Sequence, residues 1–188
     1  MVGNNNLLTG DVGNDTIWAS GNSSSINGLG GSNLVGFIGD DVSVTDGTGN
    51  DTTWAIGNHD TVSADGGNNT LGIIGDGNLI VLGSGSDTVY ASDATGGSGG
   101  DSISGGGTAT AYLGGTNATF VDSGPGFADT VIGFSKAAGD AIQTPDNPAT
   151  VAANSMVVNG TDTLITFGDG STLLLKYVTG VDASFFHS

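Results

Sequence analysis

The stretch from Gly10 to Ala91 decides the fold, and it opens with Gly10-Asp-Val-Gly-Asn-Asp-Thr-Ile-Trp18. Two columns of residues recur within it at every ninth position. The first column is mostly Asp or Asn and consists of Asp15, Ser24, Asn33, Val42, Asp51, Asp60, Asn69, Asn78 and Asp87. The second column lies two positions later, is almost wholly aliphatic and consists of Ile17, Ile26, Val35, Val44, Thr53, Val62, Leu71, Ile80 and Val89. Such self-similarity at a short fixed period is typical of a β-solenoid.

A longer period of 36 residues runs through the same stretch. The phrase Gly13–Ala19 is echoed at Gly49–Ala55 and again at Gly85–Ala91, whereas the nine-residue repeats between them differ. We therefore predict one coil per 18 residues, which is two repeats, built from two short strands and two tight turns. Each coil would rise by about 4.8 Å, the spacing of neighbouring strands. The aliphatic column would face inward and its immediate neighbours outward.

The two turns of each predicted coil differ in composition. The turns that lead into one half of the Asx column are small, polar and rich in glycine; they precede Asp15, Asn33, Asp51, Asn69 and Asp87. The opposite turns are expected to be larger and more apolar, and comprise Trp18–Ser20, Gly36–Ile38, Trp54–Ile56, Gly72–Ile74 and Tyr90–Ser92. In these segments an aromatic residue and Ala alternate with Gly and Phe or Ile, which predicts packing at constant volume from coil to coil.

The composition restricts the classes of partner. The chain has 188 residues, including 36 glycines, and a formal net charge of −17 at pH 7. Every acidic residue is Asp, and the chain contains no Arg and no Cys. Such a surface repels nucleic acid and anionic membranes and attracts divalent cations. Without Cys, disulfides and thiolate metal sites are excluded, and no stretch is apolar for long enough to insert into a membrane.

Catalysis has little support in the sequence. His59 and His187 are the only histidines, and neither has an evident nucleophile as partner. We therefore predict that the chain is not an enzyme. No signal peptide is visible, because Met1-Val2 leads directly into the repeat register, and we expect the chain to begin inside a longer solenoid.

The repeats change register after Ser92. Asp93–Thr95 is interpreted as a small insertion, and the recognisable repeats then continue to Val131. We assign residues 3–131 to the solenoid and residues 132–188 to a C-terminal β cap, since an open solenoid end exposes strand edges. Within the cap, residues 163–167 and 171–178 predict a β-hairpin. A further strand is expected over residues 151–158, with a short helix as the alternative.

The glycine-rich turns are candidate calcium sites. Glycines allow backbone carbonyl groups to converge, Asp adds carboxylate oxygen atoms, and Ca²⁺ takes six to eight such ligands. The segment Gly96–Ser104 carries the full phrase Gly-Gly-x-Gly-x-Asp-x-aliphatic-x, with Gly97, Gly99 and Asp101 as its ligand residues. The polar turns between Gly10 and Ala91 match the phrase only in part.

This phrase resembles the nonapeptide repeat of RTX, or hemolysin-type calcium-binding, proteins. The segment from Phe127 to Ile142, followed by residues 162–175, is similar to the region after the repeats in that family. The resemblance implies a right-handed parallel β-roll that binds calcium between successive turns. It also implies type I secretion from a Gram-negative bacterium by an uncleaved C-terminal signal, and hence an extracellular or cell-surface location.

The sequence departs from the family pattern along the polar turns. The predicted calcium ligands there are Asp15, Asn33, Asp51, Asn69 and Asp87, so that neighbouring coils pair one Asp with one Asn. Asn keeps a carbonyl oxygen but lacks the charge, which predicts weaker sites. The alternative is a ladder of Asx side chains that hydrogen-bond from coil to coil without metal. We favour this alternative at Asn22, Asp40, Asn58 and Asp76.

Two outward rows are candidate binding surfaces. The aromatic row Trp18, Trp54 and Tyr90 is interpreted mainly as packing against Phe37 and Ile73, with a sugar-stacking or adhesive face as the alternative. A row of threonines, which Leu34 interrupts, is a weak candidate for binding ice; it comprises Thr16, Thr52, Thr70 and Thr88.

The sequence therefore predicts a non-catalytic, calcium-binding module that folds after secretion. Two alternatives remain open. The first is a structural or adhesive solenoid that forms homo-oligomers by end-to-end stacking. The second is an accessory module that binds glycans through its aromatic row.

Overall fold

The computed structural model describes residues 1–94, 96–122 and 124–188, and it confirms an all-β parallel solenoid. Each coil contributes one strand to each of two sheets. Sheet A contains β2 (Thr16–Ser20), β4 (Leu34–Ile38), β6 (Thr52–Ile56), β8 (Thr70–Ile74), β10 (Ser86–Ser92), β12 (Thr108–Leu113), β14 (Ala128–Ile132), β16 (Met156–Val158), β17 (Asp162–Thr166) and β18 (Thr172–Lys176). Sheet B contains β1 (Leu7–Thr9), β3 (Ser25–Asn27), β5 (Ser43–Thr45), β7 (Thr61–Gly66), β9 (Leu79–Ser84), β11 (Ser102–Ser104), β13 (Thr119–Val121), β15 (Ala141–Gln143) and β19 (Phe186–His187).

The strand register confirms the predicted coil. Ile17 pairs with Val35, and Val35 pairs with Thr53, so that equivalent residues lie 18 positions apart. The period lengthens after Ser92, where Asn78 and Asp101 are equivalent at a separation of 23 residues. An insertion is therefore present, although its predicted residue Thr95 lies outside the described residues.

Large and small side chains alternate on both faces of sheet A. The inward positions in successive strands are Ala19, Phe37, Ala55, Ile73 and Ala91, all of which are buried. The outward positions beside them are Trp18, Gly36, Trp54, Gly72 and Tyr90. These segments are strands, and not the apolar turns that the sequence predicts. The tryptophans pack over glycines, and not against Phe37 and Ile73, because strand alternation places those residues on the other face.

Phe37→Ala is expected to lower the free energy of unfolding by about 3–5 kcal/mol, because a cavity would open between Ala19 and Ala55. Urea unfolding followed by far-UV circular dichroism measures this loss. The control is the neighbouring Ile38→Ala, which removes an exposed side chain from the outward face and should cost about 0.5 kcal/mol or less. Equal losses in the two variants would contradict the assignment of Phe37 to the core.

Parallel pairing does not end at residue 131. Strand β15 pairs with β13, and strands β18 and β19 pair with β14 and β15. The predicted hairpin is confirmed, since β17 and β18 are antiparallel. The division into residues 3–131 and 132–188 stays a prediction.

The expected strand over residues 151–158 is largely wrong. Residues Pro148–Asn154 form helix α1, and only Met156–Val158 is a strand. The side chain of Asn147 caps the helix and Pro148 occupies its first turn, both of which favour helix initiation. Short 3-10 turns at Lys136–Ala138 and Ala183–Phe185 complete the helical content of the described chain. None of its described helices combines the length and the apolar character that a membrane span requires.

Candidate cation-binding edges

The structure brings together the five Asx residues that the polar turns contribute. Asp15, Asn33, Asp51, Asn69 and Asp87 form one column at the edge that leads into sheet A, and the last four are buried. From Asn33 to Asp87, each side-chain Oδ1 accepts a hydrogen bond from the backbone N–H of the equivalent residue in the preceding coil. The donor-to-acceptor distances are 2.9, 2.7, 2.8 and 2.8 Å from Asp15 to Asp87. We call this column the first inner ladder.

A second inner ladder lies at the opposite edge. The backbone N–H groups of Val42, Asp60 and Asn78 donate to Oδ1 of Asp60, Asn78 and Asp101, at 2.8, 2.9 and 2.8 Å. Asp101 is therefore equivalent to Asp60 and Asn78, and does not extend the column that ends at Asp87. The role of Gly97, Gly99 and Asp101 as metal ligands stays a prediction, and in the structure the two glycines lie near a different carboxylate.

That carboxylate belongs to Asp76. Its oxygen atoms accept hydrogen bonds from the backbone N–H groups of Ala94, Ser98 and Gly99, at 3.3, 3.1 and 3.3 Å. Gly97 lies directly against the same carboxylate and has no space for a Cβ atom. The glycine-rich segment therefore encloses a carboxylate with amide donors, which is the opposite of a convergence of carbonyl oxygens on a cation.

The expected coil-to-coil hydrogen bonding of Asn22, Asp40, Asn58 and Asp76 is present. The backbone N–H groups of Asp40, Asn58 and Asp76 donate to Oδ1 of the equivalent side chain in the preceding coil, at 3.1, 2.9 and 2.8 Å. In the inner ladders the acceptor side chain belongs to the following coil. We call the column from Asn22 to Asp76 the outer ladder. Its hydrogen bonds run in the opposite direction to those of the inner ladders, so each coil is hydrogen-bonded through its turns to both neighbours.

Several buried carboxylates have one oxygen atom without a hydrogen-bond partner in the described chain. They are Oδ2 of Asp46, Asp51, Asp60, Asp87 and Asp129. Burial raises the pKa of Asp60 and Asp129 to about 6, and it raises the pKa of Asp51 and Asp87 as well. The only described ion pair, Lys176 with Asp162, does not involve them. A proton or a bound cation is the remaining means of neutralising these groups.

The Asn residues of the first inner ladder show which groups surround the unpartnered carboxylate oxygen of the Asp residues in the same column. Asn33 directs its Nδ2 toward the carbonyl oxygens of Gly28 and Asp46 at 3.4 and 3.5 Å. Asn69 directs its Nδ2 toward the carbonyl oxygen of Gly66 at 3.5 Å. The equivalent atom of Asp51 and Asp87 is Oδ2, so a carboxylate oxygen faces the same part of the turn in those coils. Carbonyl and carboxylate oxygens together are the ligands that calcium prefers.

The donor chemistry therefore fits a hard cation, with Asp51 and Asp87 as the carboxylate ligands. The spacing does not fit the regular stack of multi-carboxylate sites that the resemblance implies. Asp and Asn alternate in the first inner ladder, so its carboxylates lie two coils, or about 9–10 Å, apart. Nowhere in the described residues do three acidic or histidine side chains gather in an arrangement that could hold a metal ion.

Asp46 is a buried acidic residue that the sequence analysis missed. Asp46 is fully buried, its Oδ1 accepts a hydrogen bond of 2.7 Å from Thr53 Oγ1, and burial raises its pKa to about 7. Thr53 is the one polar member of the predicted inward column between Ile17 and Val89. That exception is the signal from which a buried polar partner could have been inferred.

The fold and the three ladders define a parallel β-solenoid with hydrogen-bonded turns. No family model matches the sequence, and no curated protein matches it either. Among solved structures, the extracellular lipase LipA from Serratia marcescens is similar to 95% of the chain, with 16% sequence identity and a TM-score of 0.42. The chain spans 39% of the length of that lipase.

Proposed function

We propose that the chain is a non-catalytic, calcium-responsive β-solenoid module of a secreted bacterial protein that functions outside the cell. The observation that carries the proposal is the set of buried Asp side chains whose Oδ2 atoms lack a partner. The proposal keeps the sequence-based expectation that the chain is not an enzyme; both of its histidines are exposed.

The proposed role of calcium follows from charge and burial. Folding places carboxylates of a chain with net charge −17 in a dry interior without cationic partners. At cytosolic calcium levels, this cost and the entropy of 36 glycines lower the stability of the folded chain, which favours secretion. Millimolar calcium outside the cell would neutralise the carboxylates, so that metal binding contributes to the folding free energy.

The double variant Asp51→Asn/Asp87→Asn tests the proposal. In EDTA at pH 7.5 it is expected to be more stable than the wild type by about 1–3 kcal/mol. The reason is that each new Nδ2 can donate a hydrogen bond to a carbonyl oxygen that faces a carboxylate charge in the wild type. In calcium it should lose most of the stabilisation that calcium gives the wild type. Urea unfolding in EDTA and in calcium measures both effects.

The matched control is Asp40→Asn, which also removes a negative charge and keeps the oxygen that accepts the Asn58 N–H group. It should leave the calcium response unchanged. The reciprocal variant Asn69→Asp would place carboxylates in three successive coils, lower stability in EDTA and enlarge the calcium response. A calcium response that is identical in the wild type and in Asp51→Asn/Asp87→Asn would refute a role of these carboxylates.

A further inference from the structure

The outward face of sheet A carries a continuous row of aromatic rings. Trp18, Trp54, Tyr90 and Tyr112 occupy one register column, in which Gly36 and Gly72 separate the first three. The two indoles are 57% and 48% exposed, and the rings of Tyr90 and Tyr112 are stacked with centroids 4.8 Å apart. We call this row the aromatic ladder.

The glycines determine how the tryptophans lie. The six-membered ring of Trp18 occupies the space that a Cβ atom at Gly36 would need, and Trp54 lies over Gly72 in the same way. Each indole therefore leans across the next strand, covers its backbone with one face and leaves surface open to solvent. Depressions of about 150 and 230 Å³ lie beside the rings, between Trp18 and Trp54 and between Trp54 and Tyr90.

The rows on either side of the aromatic ladder are uncharged. An isoleucine row of Ile38, Ile56 and Ile74 borders it on one side, and all three residues are exposed. The threonine row borders it on the other side, and the strand register extends this row to Thr110 and Thr130. In the sheet A strands from β2 to β12, none of the outward positions carries an acidic residue, although the chain as a whole has a net charge of −17.

We propose that the aromatic ladder binds an extended, uncharged, β-1,4-linked glycan. Trp18, Trp54 and Tyr90 recur every two coils, or about 9–10 Å. Two successive rings of an extended β-1,4-linked chain span about the same length, so every second sugar would present the same face to an aromatic ring. The apolar faces of the sugars stack on the rings, and their hydroxyl groups meet the threonine row. The strongly negative chain repels anionic polysaccharides.

A second copy of the chain is a less suitable occupant of this face. Six strands of five to seven residues present about 500 Å², whereas a stable interface buries about 800 Å² per partner. Association would also bring together two chains with a net charge of −17 each. The glycan proposal does not depend on calcium, provided that the chain is folded during the measurement.

Native affinity electrophoresis tests the proposal with two polymers that share a β-1,4-glucan backbone. Neutral hydroxyethylcellulose should retard the folded wild-type chain, and anionic carboxymethylcellulose should retard it much less. Trp54→Ala should weaken the apparent affinity about tenfold, and Trp18→Ala/Trp54→Ala should abolish retardation. Trp54→Phe keeps a ring and should retain part of the affinity. The control Leu79→Ala removes an exposed side chain from sheet B and should behave as the wild type.

Circular dichroism of every variant shows whether the fold is intact. No retardation of a folded wild type by hydroxyethylcellulose would overturn the proposal, as would equal retardation of the wild type and of a folded Trp18→Ala/Trp54→Ala variant. Equal binding of both polymers would contradict the preference for an uncharged glycan. If instead the wild type dimerises, Trp54→Ala is monomeric and neither polymer binds, the face is a contact between copies. These outcomes leave the calcium proposal untouched.

Discussion

Gly67→Ala is expected to lower the melting temperature by about 10 °C, through a loss of about 3–5 kcal/mol. Gly67 has a φ of +96°, a conformation that residues with a side chain rarely adopt. A Cβ atom there would also collide with the carbonyl oxygen of Gly49 in the preceding coil. The same close approach recurs at Gly31, Gly49 and Gly85, so the turns cannot move apart at one coil without disturbing the next. Thermal unfolding followed at far-UV wavelengths gives the shift.

The adjacent Gly66→Ala is the matched control. Gly66 has no positive φ, and the nearest atom to a Cβ added there is Ser84 Oγ at 3.6 Å. This variant should melt within about 2 °C of the wild type or slightly above it, because Ala reduces the entropy of the unfolded chain. Similar losses from both variants would show that the turn geometry described for Gly67 is incorrect.

Asp46→Asn is expected to stabilise the chain at pH 8 by about 2–4 kcal/mol and to change its stability little at pH 4. Burial raises the pKa of Asp46 from its ordinary value of 3.8 to about 7 in the folded chain. Asn preserves the volume and the oxygen that accepts the Thr53 hydroxyl group, and it removes the charge. Urea unfolding in EDTA between pH 4 and pH 8 measures the difference.

The direction of the pH effect follows from the raised pKa. The folded chain holds its proton on Asp46 more tightly than the unfolded chain does. The corresponding stability is fully present below about pH 4 and is lost as the pH rises through about 7. Asp60, Asp101 and Asp129, whose pKa values are raised to about 6, act in the same direction. The wild type should therefore lose stability across this range in EDTA.

Asp11→Asn is the control for Asp46→Asn, since it removes a charge from an exposed turn residue. It should alter stability by about 0.5 kcal/mol or less at either pH. A stabilisation by Asp46→Asn that is the same at pH 4 and pH 8 would show that Asp46 does not titrate in this range.

The regular part of the fold could be predicted from the sequence because strand alternation and repeat period are both visible in it. The inward column from Ile17 to Val89 and the 18-residue coil follow from these two signals. The aromatic ladder was only partly predictable. The period gives the spacing of Trp18 and Trp54, but the boundary between strand and turn decides that Phe37 faces the core and that Gly36 receives the indole.

The candidate sites could be predicted less completely. The alignment of the column from Asp15 to Asp87 follows from the repeat period. The backbone N–H groups that donate hydrogen bonds to its Oδ1 atoms could not be predicted, because they depend on the conformation of the turns. The coil after Ser92 contains extra residues, and their position within that coil decides to which edge Asp101 belongs. The repeat motif does not give this position. Asp46 is a single acidic residue in a column whose neighbouring members are Gly28 and Ala64. A prediction from the repeat pattern uses what the coils share, and so it does not detect a residue that occurs in one coil alone.

The alternation within sheet A defines the smallest unit that can be added or removed. Deletion of one coil would place Trp18 beside Trp54, Ala19 beside Ala55 and Asp15 beside Asp51. Two bulky rings would then compete for one glycine-sized space, the core would lack the volume of Phe37, and two carboxylates would meet in neighbouring coils. Deletion of two coils would again leave each large side chain beside a small one and each Asp beside an Asn. A stretch built in this way keeps its alternation only when it lengthens or shortens by pairs of coils, so its length and its surface chemistry change together.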